Sequence, residues 1–87
     1  MKNETIAEET RRGFAYIRNK VKAGEDNILL HFSGTMNKRT RMYKEVQRYE
    51  SDAKIDRELG VISQSEYDVE IKAIRLLEQS LANFHLF

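Results

Sequence analysis

The chain has 87 residues and a mass of 10.3 kDa, which is enough for one small domain with a single hydrophobic core. Hydrophobic residues make up 40% of the sequence and charged residues 33%, a balance typical of folded soluble proteins. Because cysteine is absent, disulfides, thiolate metal sites and cysteine nucleophiles are excluded. The longest aliphatic run, Ile28–Leu30, is far shorter than a membrane span. Residues 1–4 contain neither an apolar signal region nor a glycine at position 2, so we expect neither secretion nor myristoylation.

The two halves of the chain carry opposite charges. Residues 1–48 hold eleven Lys/Arg and six Asp/Glu, a net charge of +5, whereas residues 49–87 hold four and eight, a net charge of −4. A basic half can steer an anionic partner towards a protein. Opposite charges also attract each other within one fold or across a dimer, and we favour this pairing because neighbouring helices often carry complementary charges.

The first predicted helix covers residues 5–23. Its apolar stripe follows the helical period and consists of Ile6, Thr10, Phe14, Ile17 and Val21. Gly24 and the polar residues 25–27 predict its end. Gly13 lies inside the helix, at a cost of about 1 kcal/mol relative to alanine, and marks either a close helix crossing or no special feature.

A short apolar segment, Ile28–Phe32, lies in the predicted linker of residues 24–35. Five residues are too few for periodicity to separate a strand from a helical turn. A strand would need a partner for its backbone groups, most simply the same segment of a second copy. We therefore expect a buried linker or a short helix.

The second predicted helix covers residues 36–59. Its packing stripe has heptad-like spacing and consists of Met42, Val46, Tyr49 and Ala53. Ile55 and Leu59 project from almost the opposite side, and the change occurs near Ser51 and Asp52, which are both good N-cap residues. Either the helix breaks there, or one straight helix packs different faces on different neighbours.

The third predicted helix covers residues 64–84 and begins at a capping box formed by Ser63 and Glu66. One continuous apolar stripe consists of Tyr67, Ile71, Ile74, Leu77, Leu81 and Phe84. A second, narrower stripe consists of Val69, Ala73, Leu76 and Ser80. A helix that is apolar on two faces packs against two neighbours, and in so short a chain we expect the second neighbour to be another molecule.

The turn before this helix reads Leu-Gly-Val-Ile-Ser-Gln-Ser-Glu-Tyr over residues 59–67, and Leu76 and Leu77 follow. This pattern resembles the short C-terminal helical hairpins called SHOCT domains. In these domains a Gly-aliphatic-Ile-Ser/Thr turn joins one helix to another that opens with Glu and an aromatic residue. The resemblance over Leu59–Leu77 implies an interaction or oligomerisation module rather than an active site.

The sequence carries no recognisable catalytic pattern. Its four glycines fit neither of the common phosphate-binding motifs. His31 and His85 are far apart in the sequence, whereas a metal site needs about three or four converging ligands. Glu66, Asp68 and Glu70 are typical of carboxylates that complement a helix dipole. We therefore expect no enzyme, no cofactor and no metal.

A basic stretch opens the second helix and predicts a candidate anion site. The turn at residues 33–35 leads into a helix N-terminus, whose free amides and dipole favour phosphate. Five cations and a tyrosine able to stack on a base form the candidate nucleic-acid site: Lys38, Arg39, Arg41, Tyr43, Lys44 and Arg48. The supporting cations on the first helix are Arg11, Arg18 and Lys22. Alternatively these charges are solvated or paired with the acidic half, which a pI of about 8.0 favours.

The last four residues, Phe84-His85-Leu86-Phe87, are costly to leave in water. We favour their folding back onto the first helix to close the core. The alternative is that they cap an oligomer or dock on a partner.

Together these patterns predict an all-α domain of three helices, in which the long second and third helices form a hairpin, and which associates as a homodimer. The favoured function is a small non-enzymatic regulator or inhibitor that docks on a protein partner, of the kind that phage and mobile-element genes encode. The predicted interface consists of Val69, Ala73, Leu76, Phe84 and Phe87. The alternative function is binding of nucleic acid or nucleotide phosphate by the basic face of the second helix. We expect the protein in the cytoplasm of a bacterial or phage-infected cell, without a membrane partner.

Overall fold

Three α-helices and two very short strands make up the computed structural model, which describes residues 4–87. The elements in chain order are α1 (Ile6–Lys22), β1 (Ser33–Gly34), α2 (Met36–Glu58), α3 (Gln64–Ala82) and β2 (His85–Leu86). Each helix packs on the other two, which confirms the predicted three-helix architecture. No helix within residues 4–87 combines the length and the apolar character that crossing a membrane requires. Self-association stays a prediction.

Each helix begins at a hydroxyl side chain that caps its free amides. Thr5 caps α1 in a box with Glu8, and Thr35 caps α2 by accepting a hydrogen bond from the third residue of that helix. The predicted capping box of Ser63 and Glu66 is confirmed. The hydrogen bond from the Ser63 backbone also holds the pKa of the Glu66 carboxyl below its usual value.

α1 and α2 run in the same direction, and α3 runs antiparallel to both. Lys38 at the start of α2 pairs with Glu9 near the start of α1, at 3.0 Å. Further along both helices, the rings of Phe14 and Tyr49 pack with centroids 5.0 Å apart. Two successive parallel helices cannot be joined by a tight turn. The chain must therefore return along the length of α1, which is about 25 Å at 1.5 Å per residue.

This return path is the segment of residues 24–35, here named the crossover segment. Ile28 and Phe32 are buried in the core, as expected for a buried linker. The alternative of a short helix is wrong, because no part of residues 25–32 is helical. An extended chain rises about 3.3 Å per residue, twice as much as a helix, so only an extended segment of this length spans the distance comfortably.

The crossover segment lies between Gly13 of α1 and Ser80 of α3. A Cβ added at Gly13 would lie 3.1 Å from both Leu30 and Phe32, so the glycine marks a close approach of this segment rather than of another helix. Ser80 of α3 is fully buried, and its hydroxyl accepts a hydrogen bond from the Leu30 N–H at 2.9 Å. The same hydroxyl donates to the Leu76 carbonyl. The segment is thus fixed between α1 and α3.

The C-terminus closes the end of the domain where the crossover segment finishes. β1 and β2 pair in parallel, so β1 finds its partner strand within the same chain. The His85 N–H donates to the Phe32 carbonyl at 2.9 Å, and the Phe87 N–H donates to the Gly34 carbonyl at 3.1 Å. Phe84 is buried in the core, as predicted, but the residues after it pair with residues 32–34 instead of folding back onto the first helix, and Phe87 is 83% exposed.

α2 is continuous from Met36 to Glu58, so the break considered at Ser51 and Asp52 does not occur. All four residues of its predicted stripe are buried: Met42, Val46, Tyr49 and Ala53. Ile55 is exposed on the opposite side, and so is Leu59, which follows the helix as its C-cap. One continuous helix therefore packs mainly through this stripe.

We expect Ser80→Ala to lower the free energy of unfolding by about 1–3 kcal/mol, because the Leu30 N–H then loses its acceptor inside the protein. Urea denaturation followed by circular dichroism measures the change. Thr10→Val is the matched control, since Thr10 is equally buried but its hydroxyl donates only to the Ile6 carbonyl within α1. Equal losses in the two variants would contradict the role given to Ser80.

Candidate binding surfaces

The predicted docking stripe of α3 is covered by the protein itself. Ala73, Leu76 and Phe84 are buried in the hydrophobic core, and Val69 packs against that core while partly buried. Ser80 of the same stripe binds the crossover segment. The expectation that another molecule covers this stripe is therefore wrong. The reason is that parallel α1 and α2 force the connecting chain to run along α3.

Phe87 is the only member of the predicted interface that is fully exposed. Its backbone is held by β1, and its ring lies 6.4 Å from the imidazole of His85. Leu86 beside it is 45% exposed. The C-terminus thus presents one aromatic side chain from an ordered backbone, which is a smaller surface than the sequence predicts.

The predicted basic site divides into engaged and exposed residues. Lys38 donates to the Ser33 carbonyl at 2.9 Å in addition to its ion pair with Glu9. Arg39 donates to the Leu81 carbonyl at 3.1 Å and so links α2 to the end of α3. These two cations bind other parts of the fold and are only partly exposed.

Tyr43, the predicted stacking residue, packs partly buried against the core. The guanidinium of Arg39 lies 5.1 Å from its ring centroid, in a cation–π contact. One face of the ring is therefore already occupied, and a base cannot stack on that face.

Arg41 and Lys44 remain exposed on α2, and neither has a carboxylate within 4.0 Å in the described part of the chain. Arg48 completes the row but pairs with Glu45 at 3.0 Å. The row lines an open groove of about 700 Å³ between α2 and the start of α1, where Ile6 supplies an apolar wall. The supporting cations predicted on α1 do not line this groove.

Ion pairs form mainly within each half of the chain, contrary to the favoured pairing of the basic half with the acidic half. Over residues 4–87, the ion pair of Arg18 with Glu70 is the only one that joins a cation of the first half to a carboxylate of the second. Arg75 pairs with Glu50 and Glu78 inside the second half, which lowers the pKa of Glu50. Charges are thus matched mostly by residues close in the chain or on an adjacent helix, and Lys72 of α3 pairs with Asp26 of the crossover segment.

Large apolar side chains are exposed at the turn between α2 and α3. Ile55 is 52% exposed, Leu59 72% and Val61 67%. Ile55 and Leu59 lie one helical turn apart on the same face, and Val61 follows two residues later. These three residues are here named the hairpin tip. In the sequence, Ile55 and Leu59 depart from the spacing of the buried stripe of α2. That pattern alone does not show whether a neighbour covers them.

The hairpin tip has a well-defined backbone. Gly60 adopts a φ of +74°, and its N–H donates to the Arg57 carbonyl while the Val61 N–H donates to the Asp56 carbonyl. This is the Schellman motif, which ends a helix through a glycine in the left-handed conformation. The Arg57 guanidinium also lies 4.0 Å from the Tyr67 ring centroid, which connects α2 to α3. The apolar side chains are therefore presented from a rigid turn.

The rim of the hairpin tip is acidic. Four carboxylates belong to the adjoining ends of the two helices: Asp56, Glu58, Glu66 and Asp68. Among the nearby cations, Arg57 stacks on Tyr67, Lys54 lies 3.7 Å from Glu50, and Lys22 is close enough to attract the Glu66 carboxyl. The hairpin tip therefore has an apolar centre and a negatively charged rim.

Within residues 4–87, no three His, Asp or Glu side chains lie close enough together to hold a metal ion. His31 and His85 are both exposed, and the hydrogen bond from the His85 N–H to the Phe32 carbonyl brings them to the same end of the fold without a third ligand in the described residues. No protein-family model, curated protein or solved structure matches this chain. The resemblance to SHOCT domains stays a prediction.

Proposed function

We propose that this protein is a small non-enzymatic regulator or inhibitor that docks on a protein partner through the hairpin tip. The observation that supports this most is the exposure of Ile55, Leu59 and Val61 on a rigid turn, in a chain that buries its other apolar stripes. Apolar patches rimmed by polar groups commonly mark interaction sites. The small size of the domain is typical of phage and mobile-element regulators, the class to which we assign it.

The charge around the hairpin tip suggests the chemistry of the partner. A negative rim attracts a positively charged segment and orients it, while the apolar centre supplies the contact area. The proposed partner surface is therefore an amphipathic segment with leucine-like residues on one face and Lys/Arg beside them. Phe87 lies beyond the other end of α3 and is exposed. We propose separately that it mediates self-association.

A synthetic amphipathic peptide with leucines on one face and lysines on the other tests this proposal in a fluorescence anisotropy titration. We expect Leu59→Glu to weaken binding at least tenfold, because a carboxylate then replaces an apolar contact at the centre of the patch. The variant should fold normally, since Leu59 is 72% exposed.

Leu29→Glu is the matched control, because Leu29 is an exposed leucine in the crossover segment, outside the hairpin tip. We expect it to bind the peptide as the parent protein does. Two results would contradict the proposal. One is that the parent protein does not bind the peptide, and the other is that the Leu59→Glu variant binds it as tightly as the parent does.

Binding of nucleic acid or nucleotide phosphate is the second candidate function. It is favoured by one observation, the exposure of Arg41 and Lys44 without a carboxylate within 4.0 Å over residues 4–87. With Arg48, they line one side of the groove between α2 and α1. The engagement of Lys38 and Arg39 within the fold leaves fewer phosphate contacts than the sequence predicts.

Anisotropy with labelled duplex DNA and single-stranded RNA, at low and near-physiological salt, tests this second function. If it is correct, Arg41→Glu with Lys44→Glu abolishes a salt-sensitive affinity, because the phosphate contacts are lost. Lys54→Glu with Lys72→Glu makes the same change in net charge outside the groove and should retain binding. Equal losses in both double variants would show attraction by net charge alone and would refute the site.

A further inference from the structure

The outward face of α2 changes character along its length. Five exposed residues follow the helical repeat on one side of the helix, away from the buried stripe: Arg41, Lys44, Arg48, Ile55 and Leu59. The first three are cations, and the last two belong to the hairpin tip. The face is therefore basic in its first half and apolar in its second half.

Carboxylates accompany the apolar half of this face. Asp52, Asp56 and Glu58 have no cation within 4.0 Å over residues 4–87, just as Arg41 and Lys44 have no carboxylate. The charges at the two ends cannot neutralise each other within one copy. The twelve-residue interval from position 44 to position 56 is about 18 Å along a helix, whereas salt screens exposed charges beyond about 8 Å.

The groove beside the basic half has the chemistry that the hairpin tip requires of its partner. Ile6 supplies an apolar wall next to the row of cations. The carboxylates of the groove are engaged, since Glu4 lies 2.8 Å from Arg12 and Glu45 lies 3.0 Å from Arg48. The groove therefore presents an apolar wall beside positive charge, which complements an apolar centre with a negative rim.

We propose, on the basis of the docking role given to the hairpin tip above, that a second copy of this chain covers the tip. The α2 helices of the two copies pair antiparallel about a two-fold axis. Each hairpin tip then meets the groove of the other copy, so the same contact forms twice and the dimer is closed. A parallel pairing about a two-fold axis would instead place each basic row against itself.

One register of the antiparallel pair matches opposite charges. When Arg48 faces Asp52 of the second copy, Lys44 faces Asp56, because both lie four residues further from the axis. Arg41, seven residues from Arg48, then faces the end of the other helix at the hairpin tip. Because this dimer covers the tip, self-association and binding of another protein exclude each other.

Sedimentation equilibrium of the parent protein, at low and at high salt, measures the dimer. We expect a dissociation constant that rises at least tenfold at high salt, because the paired charges are exposed to solvent. At low salt, Arg41→Glu with Lys44→Glu should weaken the dimer at least tenfold, because the acidic tip then meets a negative groove. Lys54→Glu with Lys72→Glu is the matched control, since these lysines lie outside this face, and it should retain the dimer.

A mixture of two charge-reversed variants tests the antiparallel arrangement. Asp56→Lys with Glu58→Lys should also prevent dimers of its own, because two positive surfaces then meet. Mixed with the Arg41→Glu, Lys44→Glu variant, it should form a dimer about as tight as that of the parent, since every introduced charge then faces its opposite. Circular dichroism checks that both variants fold, as expected for substitutions outside the buried stripe.

Two results would overturn the proposal. One is a parent protein that stays monomeric at low salt and millimolar concentration. The other is a mixture that associates no better than either variant alone. The same series in a Phe87→Ala chain excludes a contribution from the contact proposed separately at Phe87.

The amphipathic peptide distinguishes this proposal from the proposed function. The Arg41→Glu, Lys44→Glu variant keeps its hairpin tip, so it should bind the peptide at least as tightly as the parent, in which a second copy competes for the tip. Peptide binding by a parent that never dimerises supports the proposed function and overturns the dimer. A dimer whose parent and monomeric variant both fail to bind the peptide contradicts the proposed function and supports the second copy as the occupant of the tip.

Discussion

The parallel course of α1 and α2 is the constraint on which the rest of the structure depends. It requires an extended return path as long as α1, and that path brings unpaired backbone groups into a small domain. The hydroxyl of Ser80 accepts a hydrogen bond from the Leu30 N–H, and backbone hydrogen bonds at the short β1–β2 pair satisfy the backbone groups near Phe32 and His85. Gly13 leaves the room for this segment on α1. The fold therefore depends on a few polar contacts made by a segment that is otherwise apolar.

This arrangement also decides which surfaces are left for binding. The second stripe of α3 is buried or partly buried within the protein, and its Ser80 binds the crossover segment. Among residues 4–87, the three most exposed large apolar side chains therefore lie at the C-terminus and the hairpin tip: Phe87, Leu59 and Val61. Parallel packing places Arg11 and Arg18 of α1 beside the middle of α2, where Tyr49, Asp52 and Ala53 lie. A pocket with both signs of charge results. The exposed hairpin tip and this pocket are thus two consequences of one topology.

Local features of the fold could be predicted from the sequence, whereas long-range pairings could not. The bounds of the helices, the capping box at Ser63 and the buried stripe of α2 follow from periodicity and capping chemistry within a few residues. The contact of Ser80 with Leu30 joins residues 50 positions apart and leaves no local pattern. The sequence likewise does not show that Lys38 and Arg39 are engaged, because their partners belong to other elements of the fold.

Native-state hydrogen exchange of the Leu30 amide tests the central claim most directly. The N–H belongs to a non-helical segment, yet the structure pairs it with a fully buried hydroxyl. We predict that it exchanges only through global unfolding, with the same free energy as the Leu77 amide in the middle of α3. Exchange at the rate of an exposed loop amide such as Asn27 would contradict the account, because the crossover segment would then not be part of the folded core.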